Sequence, residues 1–153
     1  MRIEKAVFAD LKPILELQYL AYQSEGLLLN TFSIPPLLQT LEDIQMEFQK
    51  GIFLKAVDEN DTIMGSVRGH INGKTLMIGK LIVHPDQQHK GIGTRLLHTI
   101  EELYPRHRYE LFTSDKSIRN LQFYEHLGYL RYREFTISPI LTLIYLEKNP
   151  LSE

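Results

Sequence analysis

The stretch VHPDQQHKGIGTRLL, residues 83–97, concentrates more potential chemistry than any other part of the chain. Gly91 and Gly93 allow a backbone to approach a ligand with no Cβ in the way. A helix that starts there offers unpaired N–H groups and the positive end of its dipole. Lys90 adds a full charge beside the turn, and Thr94 adds a hydroxyl one turn in. Successive N–H groups in such a turn form a concave anion site, and phosphate is its natural guest. Two nucleotide motifs can be tested directly. GxxxxGK[ST] is absent, and GxGxxG fails because Leu96 stands at the third glycine. Taken alone, the stretch reads equally as an anion site and as a structural turn.

A second concentration lies downstream, in NLQFYEHLGY, residues 120–129. Leu121, Tyr124 and Leu127 have helical spacing, which by itself describes a core face. Histidine is the side-chain type whose unperturbed pKa suits a general base, which makes His70 a candidate. Glu25 and Glu42 are the other candidates, and each of the three reads first as surface or structural. His84 and His89 read as solvated, and no HExxH pattern or other metal-ligand spacing is present.

These residues need elements to hold them. Residues 2–8 read as a strand, and Asp10 can cap a helix over 11–23 in which Pro13 is tolerated. Residues 24–36 read as an irregular, apolar connection, followed by a helix over 37–50 that Gly51 ends. Three strands follow, over 51–59, 62–71 and 74–84. Asn72-Gly73 is the strongest hairpin signal, so these strands should run antiparallel. Gly79 inside the third suggests a bulge. A helix over 91–103 stops at Tyr104-Pro105. A strand over 108–114 follows, then a helix over 116–127 closed by Gly128 in a left-handed cap. Strands over 129–137 and 140–148 complete a mixed α/β domain spanning 1–153. The strands either side of Gly91 are joined by a crossover and should be parallel.

Composition narrows the class. The chain has 153 residues, 43% of them hydrophobic, and a net charge of −2, which disfavours sequence-independent nucleic-acid binding. It has no cysteine, which removes disulfides, thiolate zinc sites and a cysteine nucleophile together. Asp10 and Lys12 interrupt any leader-like start, and no apolar run nears the roughly 20 residues of a membrane helix. The expectation is a cytoplasmic domain that neither crosses a membrane nor binds nucleic acid.

Together the two concentrations resemble the GCN5-related N-acetyltransferase (GNAT) superfamily. Gln88, Gly91 and Gly93 meet its Q/R-x-x-G-x-G/A pattern after a strand ending in Val83, His84 and Pro85. Asn120 to Tyr129 meets N-x-x-x-F/Y-Y-x-x-x-G-F/Y. The resemblance implies a largely antiparallel sheet of about seven strands with a central parallel pair, flanked by about four helices. It implies acetyl-CoA as cosubstrate and no metal. The pyrophosphate would rest on the backbone of Gln88, His89, Lys90, Gly91, Ile92, Gly93 and Thr94. The pantetheine arm would run along Leu81, Ile82 and Val83, and Asn120 would reach that arm or the adjacent backbone.

The implied reaction is direct attack of a primary amine on the thioester. A strand N–H, such as that of Ile82 or Val83, could face the oxyanion. Tyr124 matches the family's tyrosine at the departing thiolate. Full proton transfer from a tyrosine of pKa ~10 to a thiolate of pKa ~8.5 is uphill by about 2 kcal/mol, so hydrogen bonding is the expected contribution. Tyr19, Tyr22, Glu25, Leu27–Leu29 and Phe32 would wall the acceptor side. That wall suits a small amine with a hydrophobic body, and equally a partner interface. A protein or peptide acceptor and a non-catalytic acyl-CoA-binding module are the alternative functions. The terminal strands offer an edge through which a homodimer could pair.

Overall fold

Alternation along the central strands sorts the core into two layers. Successive strand side chains point to opposite faces. Leu54, Ala56, Val67, Leu76 and Ile78 face one side, where they meet Ile92, Leu96, Leu97 and Ile100 of one helix and Leu121 and Tyr124 of another. Phe53 faces the other side and packs with Leu11, Ile14, Leu15 and Ile44.

The computed structural model describes residues 1–150. Its strands are β1 (Arg2–Lys5), β2 (Ile52–Val57), β3 (Ile63–Asn72), β4 (Thr75–Val83), β5 (Arg108–Ser114), β6 (Leu130–Ser138) and β7 (Leu141–Lys148). Its helices are α1 (Leu11–Ala21), α2 (Gln23–Leu29), α3 (Pro35–Leu38), α4 (Leu41–Lys50), α5 (Ile92–Leu103) and α6 (Ile118–His126). The seven strands form one sheet in the order β1-β2-β3-β4-β5-β7-β6. All neighbours are antiparallel except β4 and β5. Asn72-Gly73 turns β3 into β4 as expected, with Gly73 at φ 63°.

The parallel pair is short. Thr75, Leu76 and Met77 face Arg108, Tyr109 and Glu110, and there the pairing ends. Beyond it β4 stays with β3 as far as Val83, while β5 stays with β7 as far as Ser114. The sheet therefore opens between two strands that continue side by side without bonding. The closed end is held by Arg108, whose Nε lies 2.8 Å from Glu147 Oε1 and whose Nη1 lies 2.8 Å from Glu110 Oε1. The same Nη1 reaches Thr75 Oγ1 at 3.3 Å, and the Tyr132 hydroxyl donates to Glu110.

Several expectations change. The bulge in β4 follows Gly79: Arg68 faces Gly79, Ser66 faces Ile82, and the left-handed residue is Lys80 at φ 49°. The connection over 24–36 contains helices α2 and α3. Gly26 is there because the Phe32 ring occupies the place of its missing Cβ, 2.4 Å away, and Asn30 ends α2 in a left-handed cap. The helix expected over 37–50 is broken at Gln39 and restarts at Leu41, where Thr40 caps it by accepting from the Asp43 N–H at 3.1 Å. With α2, the helices of seven residues or more number five. The first strand ends at Lys5, because Asp10 Oδ2 accepts from the Val7 N–H at 2.8 Å and closes a 3-10 turn over Phe8–Asp10. Asp10 thus caps that turn, not α1, and pairs with Lys55 at 2.8 Å.

Candidate active site

The turn between β4 and α5 is built from short polar contacts. A 3-10 turn over Pro85–Gln87 begins with His84 Nδ1 accepting from the Asp86 N–H at 3.0 Å. Lys90 Nζ donates to Gln87 Oε1 at 2.9 Å. His89 and Gly91 both adopt left-handed backbone, at φ 64° and 78°. Gly91 is the N-cap of α5, and no side chain caps that end. The first helical bond runs from the Arg95 N–H to the Gly91 carbonyl, so the N–H groups of Ile92, Gly93 and Thr94 lie ahead of the helical ladder. A Cβ on Gly91 would meet nothing within 4 Å, so the demand there is conformational. A Cβ on Gly93 would make ordinary contact with Phe123 and Val83. Gln88, His89, Lys90 and Gly91 are exposed, Gly93 and Thr94 are half-buried, and Ile92 is buried.

Arg119, one residue before Asn120, brings its Nη2 within 3.2 Å of His89 Nε2. A guanidinium from α6 therefore stands beside the glycine turn. Asn120 Nδ2 lies 3.5 Å from Thr113 Oγ1 on β5. Leu81 and Val83 are half-buried, and Ile82 is buried. All three lie on the part of β4 that has left β5.

Tyr124 is buried, in edge contact with Phe123 and Tyr129. Its hydroxyl takes no hydrogen-bond partner among the described residues. Burial pushes its pKa up, and neighbouring Tyr22 and Glu25 push it further. It is held neutral, as a hydrogen-bond donor must be. Burial also pushes the Tyr22 pKa up to about 12, with Arg68 working against the rise. Glu25 is raised by burial, and the Ser117 hydroxyl at the start of α6 lowers it in part.

Sequence reasoning missed the polar cluster on the α1–α4 side. Arg68 is only 4% exposed, so its charge must be met inside the protein. Its Nη2 donates to Gln18 Oε1 at 2.6 Å, and its Nη1 reaches Gln39 Oε1 and Glu47 Oε2 at 3.1 Å each. The guanidinium lies 4.6 Å from the centre of the Phe53 ring, and its Nε has no partner among the described residues. Lys80, at the bulge, is lowered in pKa by burial and by Arg68, with Glu47 opposing. Lys80, Glu47 and Asp43 join Pro35, Leu38 and Gln39 around a cavity of about 380 Å³. A signal did exist, since Gln18 interrupts the apolar stripe of α1 and Arg68 interrupts an apolar strand.

The other base candidates stand elsewhere. Glu42 is exposed in the first turn of α4. His70 is exposed and lines a smaller cavity of about 190 Å³ with Glu47, Lys50, Phe53, Arg68 and Gly69. Neither acts on Tyr124, whereas Glu25 does. Among the described residues no three His, Asp or Glu converge on a metal site, and no helix is long and apolar enough to cross a membrane.

Comparison with solved structures gives the same fold at low identity. The PaiA N-acetyltransferase of Thermoplasma acidophilum, in complex with coenzyme A, aligns with a TM-score of 0.79 at 18% identity, over 97% of this chain and 99% of that one. The ribosomal-protein-S18-alanine N-acetyltransferase of Escherichia coli aligns with a TM-score of 0.81 at 12% identity, over 99% and 96%. An aminoglycoside 6'-N-acetyltransferase complexed with coenzyme A aligns with a TM-score of 0.77 at 17% identity, over 100% and 99%. Among curated proteins, the UPF0157 protein YqkA of Bacillus subtilis (strain 168) is 28% identical over 119 residues, 77% of this chain. The matched region is only 34% of that relative's length. The sequence pattern of the Acetyltransferase (GNAT) family matches residues 12–129, from α1 through the end of α6 to Tyr129, and the chain therefore belongs to the GNAT acetyltransferase family.

Proposed function

We propose that the chain moves the acetyl group of acetyl-CoA to a primary amine of a small molecule by direct attack on the thioester. The observation that carries this reading is the opening between β4 and β5, followed by an uncapped, left-handed helix start, together with a Tyr124 hydroxyl on α6 that has no hydrogen-bond partner among the described residues. The backbone of Gln88 to Thr94 would hold the pyrophosphate, with Lys90 and Arg119 supplying positive charge. The unpaired edge of β4 at Leu81, Ile82 and Val83 would pair with the pantetheine arm. Asn120 would steady that arm from α6. Relatives of the same fold are seen with coenzyme A. Fixed backbone donors in such a gap stabilise a developing oxyanion by several kcal/mol. Tyr124 would donate a hydrogen bond to the departing sulfur, and its raised pKa makes outright ionisation a poor route.

A small acceptor fits the cavity of about 380 Å³, which lies at the low end of the usual range for small-molecule sites. Relatives act on an aminoglycoside and on a ribosomal protein alanine, so the acceptor class is decided by experiment. Thiol release from acetyl-CoA is measured with n-butylamine, an aminoglycoside and an alanine-starting peptide. Turnover with the peptide alone replaces the small-molecule reading. Acetyl-CoA binding without turnover of any acceptor replaces the enzyme with a binding module. We assign the chain to the cytoplasm, to be checked by fractionation. Eight of the nine residues of β6, at the sheet edge, are exposed, and a second copy would pair there, which sedimentation would reveal as a dimer.

A further inference from the structure

The bulge in β4 puts a lysine, and not the glycine before it, into left-handed backbone, with Lys80 at φ 49°. A residue with a Cβ takes that conformation against a steric penalty, and such outliers gather at ligand sites. Lys80 lies past Met77, on the part of β4 that has left β5. Its side chain lines the cavity of about 380 Å³ with Pro35, Leu38, Gln39, Asp43 and Glu47.

The other polar groups of that cavity are committed. Glu47 Oε2 lies 3.1 Å from Arg68 Nη1, and Glu47 Oε1 accepts from Gln39 Nε2. Gln39 Oε1 accepts from Gln18 Nε2 at 2.9 Å and from Arg68 Nη1 at 3.1 Å. Asp43 is exposed, and its Oδ2 accepts from the Thr40 N–H at 2.9 Å. Lys80 is half-buried, and its ammonium makes no hydrogen bond or ion pair among the described residues. Two cations, Lys80 and the buried Arg68, therefore stand against one half-buried carboxylate, that of Glu47. The lowered pKa of Lys80, from burial first and Arg68 second, has the same origin. A monoanion entering the cavity would match the excess charge, and a carboxylate on an ammonium makes a charge-assisted hydrogen bond.

Resting on the transferase reading above, we propose that the acceptor is a small amino carboxylate whose carboxylate pairs with Lys80. Its apolar body would lie on Pro35 and Leu38, and its amine would reach the thioester along the opened part of β4. The carboxylate takes no part in the transfer. Amine and acetyl thioester become amide and thiol, with one proton passing from nitrogen to sulfur. Lys80 acts on which amine is held.

The test measures thiol release from acetyl-CoA with the full chain and two matched pairs of acceptors. L-leucine is set against isoamylamine, and γ-aminobutyrate against n-propylamine, each pair differing only in the carboxylate. At least one carboxylate acceptor should exceed its partner by about tenfold or more in kcat/KM. Lys80→Met keeps the stem and removes the charge. It should abolish that preference by raising KM for the carboxylate acceptor, with kcat, CoA affinity and the partner amine unchanged, and Lys80→Arg should retain the preference in part. Calorimetry of isocaproate, which is leucine without its amine, on the CoA-saturated chain reads the same pairing without turnover. Isocaproate should bind the parent, bind Lys80→Met about tenfold more weakly, and outcompete neutral isocaproamide. Equal kcat/KM within both pairs, an equal loss for both members in Lys80→Met, or no isocaproate binding would overturn the assignment and leave the transferase reading intact. A parent chain that binds CoA but turns over no amine would instead remove the transferase reading, and the acceptor class with it.

Discussion

Two buried tyrosines five residues apart have opposite surroundings. Tyr129 donates to Glu101 Oε2 at 2.7 Å, and Lys148 Nζ lies 3.2 Å from the other oxygen of the same carboxylate. The Lys148 ammonium also sits 5.5 Å from the centre of the Tyr129 ring. Donor, acceptor and counter-charge are all present, so this cluster closes on itself. Tyr124 has a carboxylate within electrostatic reach but no hydrogen-bond partner, and Glu25 has no cation. The closed cluster ties α5 to β7, whereas the Tyr124 hydroxyl has no such partner among the described residues.

Breaking each region should cost a different quantity. Tyr124→Phe should reduce turnover by about a hundredfold or more, with CoA affinity and unfolding midpoint nearly unchanged, as thiol release, calorimetry and urea titration would show. Tyr129→Phe should do the reverse. Removing a hydrogen bond to a charged group lowers stability by about 1.5–3 kcal/mol, read from urea unfolding, while turnover per folded molecule holds. If Tyr129→Phe instead lowered turnover at constant stability, the contrast between the two regions would fail.

Gly91→Ala comes next in size. Left-handed backbone costs a residue with a Cβ about 1–2 kcal/mol, so CoA affinity and stability together should fall by that amount. The smallest effect sharpens the comparison through pH. Glu25 has a folded pKa above its unfolded one, so its contribution is fully present below the ordinary carboxylate value and is lost as pH rises through the folded value. Glu25→Gln should therefore gain stability relative to the parent as pH climbs from about 4 towards neutrality, measured by urea titration at each pH.

The turn of the candidate site was legible because its signals are local. Gly91 needs a positive φ, and Gly128 closes α6 at φ 97°. Asn72-Gly73 set the hairpin from two adjacent residues. The polar cluster on the α1–α4 side was hidden because its signals are distant. Gln18 and Arg68 meet across 50 residues of chain, and each alone reads as a polar residue spoiling an apolar pattern. Helix α2 escaped notice because Leu27–Leu29 is a continuous apolar run and Gly26 lowers helix propensity, with its reason supplied by Phe32. The bulge was placed at Gly79 on propensity, but Lys80 takes the left-handed conformation, and its ammonium faces Arg68 and Glu47.

The three paired residues at the closed end of β4 and β5 act mechanically as a fulcrum. Val83 lies six residues past Met77, about 20 Å along an extended strand. A rotation of roughly 3° at the fulcrum would move its far end by about 1 Å, a displacement that can cost about a hundredfold in rate. Arg108, Glu110, Glu147 and Tyr132 brace that fulcrum. They fix the closed end of the opening, at the end of β4 and β5 opposite to the glycine turn.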